Sequence, residues 1–61
     1  MLEWLVEKRG KRSQRAVADE IGIAQSTYGS IEIGSRRPSV DTAKRIAAVL
    51  GFEWTRFFDE K

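Results

Sequence analysis

The chain has 61 residues, a formal net charge of +2 and neither cysteine nor histidine. That length allows a single domain, residues 1–61, which buries only roughly 60% of the surface its unfolded chain exposes, and the composition closes the disulfide and histidine- or cysteine-based metal routes to extra stability. An ordinary nucleophile–base pair is also missing, so no enzyme, cofactor, metal or small-molecule substrate is expected.

No apolar run approaches the roughly 20 residues of a membrane span. The N-terminus lacks an apolar leader with a small-residue cleavage site. The absence of cysteine fits a reducing, cytoplasmic setting.

Leu2, Leu5 and Val6, with Trp4 alongside, predict a first helix ending near Gly10. Ser13 is a good cap for a second helix, Gln14 to Ile21, with Val17, Ala18 and Ile21 on one face. Gly22 ends it. A third helix runs from Gln25 to about Ile33, with Tyr28 and Ile31 directed to the core, and Gly34 stops it. Ala24 cannot cap that helix with its side chain. Pro38 disfavours helix at Arg37. Ser39 caps a fourth helix, with Asp41 in its first turn and Ala43, Ile46, Ala47 and Leu50 as its apolar face. Gly51 closes it, and Phe52 to Phe58 are expected to form a short fifth helix. No stretch alternates with period two, and there are no repeats, low-complexity segments or linkers. The pattern predicts an all-α, compact five-helix fold.

Helices two and three are joined by Gly22-Ile23-Ala24, the short glycine turn of a helix-turn-helix. In that motif the second helix enters the DNA major groove and its N-terminal residues meet base edges. Here those residues are Gln25 and Ser26. A glutamine amide matches adenine N6 and N7, and a serine hydroxyl can donate to a purine N7 or O6. Two polar residues at a helix start are otherwise unremarkable, so the spacing by itself leaves both readings open. Lys8, Arg9, Lys11, Arg12 and Arg15 form one basic cluster and Arg36 and Arg37 a second. Such clusters are either solvated turns or phosphate contacts. Glu53, Asp59 and Glu60 roughly balance Arg56 and Lys61 at the C-terminus.

The pattern Gln14…Val17-Ala18…Gly22…Gln25-Ser26…Gly29…Ile31-Glu32-x-Gly34…Pro38-Ser39, continued by Ile46-Ala47…Leu50-Gly51, resembles the lambda-repressor-like helix-turn-helix family. This is the family of Cro and phage-repressor DNA-binding domains, also called XRE, and the resemblance covers nearly the whole chain. It implies that Gln25, Ser26 and Ser30 face base edges. It places Gln14 at a phosphate and beside Gln25, and it brings the Ser35, Arg36 and Arg37 loop to the DNA backbone. Lys11 and Arg12 are weaker candidates for flanking phosphates, near the N-terminus of helix two. Gly29 is read as giving the helix clearance for close approach to the groove, and Ala18 and Gly22 as keeping helices two and three close. In the family an arginine of the first helix often pairs with the position of Glu32. The matching position here is Glu7 or Val6, neither of them a cation.

Four aromatics fall within Phe52–Phe58. Phe57 is expected to seal the core. Phe52, Trp54 and Phe58 exceed what one short helix buries and suggest a self-association patch. The resemblance implies a transcriptional regulator, a repressor in the first instance, acting as a homodimer on double-stranded DNA at a pseudo-palindromic operator. The alternatives are a protein-interaction module, such as an antitoxin or anti-repressor, and a restriction–modification control protein.

Overall fold

A computed structural model describes residues 1–59. The chain forms α1 (Glu3–Arg9), α2 (Gln14–Ile21), α3 (Gln25–Ile33) and α4 (Val40–Leu50), followed by a 3-10 helix at Trp54–Phe58. The starts of α2 and α4 follow from hydroxyl caps. Ser13 Oγ accepts from the Ala16 N–H at 3.0 Å, and Ser39 Oγ accepts from the Thr42 N–H at 3.2 Å. Ala24, before α3, makes no side-chain cap. The α2–α3 pair instead depends on the turn between them. The Gly22 and Ile23 N–H groups both donate to the Ala18 carbonyl, at 2.8 and 3.0 Å. That closure requires Gly22 at φ +93°, a left-handed conformation that costs an L side chain strain. An added Cβ at Gly22 would meet nothing within 4 Å. Gly22 is therefore needed for its backbone conformation. The expectation that it keeps the helices close applies to the fully buried Ala18 alone.

Leu5, Val17, Ala18, Ile21, Tyr28, Ile31 and Ile46 form the buried core, drawn from all four α-helices. Ala43 and Ala47 extend it along α4. Small residues at those positions let α4 lie close to α2.

The C-terminal segment differs from the expected fifth α-helix. Five residues are too few to repay an α-helical nucleus, and the segment settles as a 3-10 turn with the Arg56 N–H on the Glu53 carbonyl at 3.0 Å. Part of its aromatic surface is taken up by the chain itself. Trp4, Phe52 and Phe57 pack as a triangle with ring centroids 5.1, 5.3 and 5.5 Å apart, against the main core. Phe52 thus gives part of its ring surface to Trp4. Trp54 and Phe58 pair edge to face at 6.0 Å and keep part of their surface in solvent.

The triangle replaces the staples this small chain lacks. Trp4→Ala should lower the unfolding free energy by about 3 kcal/mol, the lower end for losing a large aromatic because Trp4 is only half-buried. Thr55→Ala, on the exposed side of the same turn, should change it by less than about 0.5 kcal/mol. Urea unfolding of both variants checks this, and equal losses would mean the triangle is not a structural unit.

Candidate nucleic-acid interface

The exposed face of α3 is set by which of its residues the core claims. Tyr28, Gly29, Ile31 and Glu32 are buried. Gln25 and Ser26 are exposed at the N-terminal end, and Ser30 is half-buried one turn beyond Ser26. At 100° per residue, Ser26, Ser30 and Ile33 share one stripe. Ile33, 58% exposed, was not singled out from sequence. Its place three residues after Ser30 on the helix is the signal that identifies it. The stripe carries no charge.

Gly29 stands on the i, i+4 row between Gln25 and Ile33, at the edge of that stripe. A Cβ built there would stand 3.2 Å from Gln14 Oε1. The missing side chain makes room for the Gln14 amide of α2. Gln14 in turn does not hydrogen-bond to Gln25. Its Nε2 donates to Glu32 Oε1 at 2.8 Å. It lies beside Gly29, one helical turn along α3 from Gln25.

Glu32 is 1% exposed, and its partner is Arg9. Arg9 Nε donates to Glu32 Oε2 at 2.7 Å and Arg9 Nη2 to Oε1 at 3.3 Å. Neither Glu7 nor Val6 takes that role. Arg9 ends the stripe begun by Leu2 and Leu5, which brings its long stem inward. Its Nη1 also donates to the Arg12 carbonyl at 2.7 Å, fixing the loop into α2. Burial by itself would raise the Glu32 carboxyl. The hydrogen bonds from Arg9, then Gln14, together with the guanidinium charge, outweigh it and hold the group below its ordinary value. The Tyr28 hydroxyl is buried near this pair without a hydrogen bond. Burial, and then the adjacent carboxylate, push its phenol strongly upward.

The remaining candidates lie on the flanks. Lys11, Ser35 and Arg36 are exposed. Arg12, also exposed, reaches Glu20 at 3.3 Å. Such an exposed pair contributes only about 0–1 kcal/mol, too little to bar exchange for another anion. Ser35 Oγ donates to the Ser30 carbonyl at 3.3 Å, and Arg37 lies against the C-terminal turn.

The helix-turn-helix pattern matches residues 2–57 of this chain, a span that takes in the turn at Gly22, the exposed start of α3 and the Arg9–Glu32 pair. The chain belongs to the XRE-type helix-turn-helix family. It is similar to YqaF of Bacillus subtilis (strain 168), an uncharacterized HTH-type transcriptional regulator, at 40% identity over 62 aligned positions, covering 98% of this chain and 82% of the relative. No solved structure matches it. Among the described residues, no helix is long and apolar enough to cross a membrane.

For this helix-turn-helix protein the buried pair makes a pH prediction. The folded Glu32 pKa lies below its ordinary 4.5. Its contribution is therefore complete above the unfolded value and is lost as pH falls through the folded one. Denaturant midpoints should drop as pH goes below that range. Glu32→Gln should cost about 3 kcal/mol at neutral pH, since it strips Arg9 of its charge partner, and should flatten the acid limb. An acid limb as steep in Glu32→Gln as in the wild type would assign the acid sensitivity to other carboxylates.

Proposed function

We propose that this protein binds duplex DNA sequence-specifically through α3 and regulates transcription, acting as a homodimeric repressor on a pseudo-palindromic operator. The observation that carries the reading is the uncharged outward side of α3, with Gln25 and Ser26 exposed at its start and the helix joined to α2 by the Gly22 turn. A major groove admits such a helix, and its base edges are read by amide and hydroxyl groups. The relative's description as a transcriptional regulator supports the same activity.

In this reading Gln25 pairs with an adenine, Ser26 meets a neighbouring base, and Ser30 and Ile33 line the groove farther along. Gln14, at the N-terminal end of α2, contacts a phosphate with the free helix amides. Lys11, Arg12, Ser35 and Arg36 lie on the flanks, where backbone contacts set register and supply salt-dependent affinity without reading sequence.

Selection from a random duplex library should return an inverted repeat with half-sites about one helical turn apart. Gln25→Ala should relax one adenine preference per half-site, costing about 1–3 kcal/mol there and little on random duplex. Unchanged preference at every position would remove α3 as the reading element.

The homodimer has its own test. Trp54 and Phe58 keep solvent-facing surface beside Lys44 and Glu53, a mixture of apolar area and both charges that a two-fold interface can match to itself. Sedimentation equilibrium over a concentration series should show a dimer that Trp54→Ala weakens at least tenfold, as loss of a central aromatic anchor does. A monomer at all concentrations, selecting single half-sites, would rule this assembly out.

A further inference from the structure

The loop between α3 and α4 carries two adjacent, exposed arginines that charge pattern alone treats alike. Their surroundings differ. Arg36 is placed by its backbone: its N–H donates to the Ser30 carbonyl at 3.3 Å, which also receives the Gly34 and Ser35 N–H groups at 3.1 Å each. Arg37 turns the other way. Its guanidinium carbon lies 5.5 Å from the centroid of the Phe58 ring, within cation–π range. Phe58 packs edge-on against Phe57 at 6.5 Å, and Phe57 belongs to the Trp4 triangle on the core. Pro38, the next residue, is buried. A continuous row of rings thus runs from the core to the loop and ends on Arg37.

We propose that Arg37 is a positioning residue: it anchors the Gly34–Pro38 loop to Phe58, so that the Arg36 side chain faces the DNA backbone, and of the two arginines only Arg36 neutralises a phosphate. The inference rests on the DNA-binding reading above. A planar guanidinium stacks on a ring in a way an ammonium does not reproduce, so charge alone does not define the role of Arg37. It also follows that Phe58, which stands on the C-terminal turn and not on α3, influences DNA affinity through the loop.

The test has two parts. In the free protein, NMR should show Arg37 side-chain protons shifted upfield by the Phe58 ring. The shift should disappear in Phe58→Leu, and the Arg36 amide resonance should move in both Phe58→Leu and Arg37→Ala. On a selected duplex, Arg36→Ala should reduce the salt slope by about 1. Arg37→Ala should weaken binding about two- to five-fold at every salt concentration, the range an exposed cation–π contact supports, with the slope unchanged. Phe58→Leu should weaken binding in the same way, with the slope unchanged, the double variant should be no weaker than Arg37→Ala alone, and Arg37→Lys should restore only part of the loss. Circular dichroism of each variant separates these effects from unfolding. A slope loss in Arg37→Ala equal to that of Arg36→Ala, additive losses with Phe58→Leu, or no upfield shift would each overturn the proposal alone. Failure of the wild type to bind any duplex would overturn the DNA-binding reading, and the proposal with it.

Discussion

At 1% exposure the Glu32 carboxylate can stay ionised only because three helices meet on it. An unpaired buried charge costs several kcal/mol, and a domain of this length has a total stability of roughly 3–9 kcal/mol to lose. Arg9 comes from the end of α1, Gln14 from the start of α2, and Glu32 itself stands in the last turn of α3. The Glu32 backbone adds a fourth tie, its carbonyl accepting the Leu2 N–H at 2.7 Å. Apolar packing among Leu5, Val17, Tyr28 and Ile31 is non-directional and tolerates small rotations. The charged hydrogen bonds are not so tolerant, because each has a narrow distance and angle. They fix how α3 is turned about its own axis, and hence which of its residues reach solvent.

Most of the backbone was legible in the sequence because it is governed by local chemistry. Hydroxyl caps at Ser13 and Ser39 and the stops at Gly22, Gly34 and Gly51 each act within four residues of the helix end they define. The bounds of α2 follow from those signals directly. The Arg9–Glu32 pair was harder, because its partners are 23 positions apart. A signal was nevertheless present. Glu32 follows Tyr28 by four and Arg9 follows Leu5 by four, so each apolar stripe ends in a charge, and the charges are opposite. A carboxylate on a core-facing stripe demands a cation, and matching stripes finds it better than matching family positions does.

Two glycines show what local reasoning leaves open. Gly22 suits a left-handed backbone with open space around it, and Gly29 suits a helical backbone that another side chain presses against. The sequence marks both only as glycine within a helix pair. Which freedom is in use, conformational or steric, depends on the third dimension. The C-terminal aromatics pose the same difficulty. Their number suggested surplus area, yet Trp4 lies some fifty positions earlier and takes up part of two of them. Surplus can be judged only once the partners are known.

The charge on α3 links this architecture to its proposed use. Glu32 is the one ionised residue of the helix. Left exposed beside a phosphate backbone, it would repel the ligand the helix is meant to approach. Folding turns it inward and neutralises it with Arg9, which leaves an outward face of Gln25, Ser26, Ser30 and Ile33 with no charge. Positive charge remains on the flanking loops, in Lys11, Arg12 and Arg36. Phosphates lie at the rims of a groove and base edges at its floor, so a neutral hydrogen-bonding ridge between basic shoulders matches both. The buried pair thus has two effects on one helix. It sets the rotation that exposes the residues proposed to read bases, and it removes a charge that would oppose their approach.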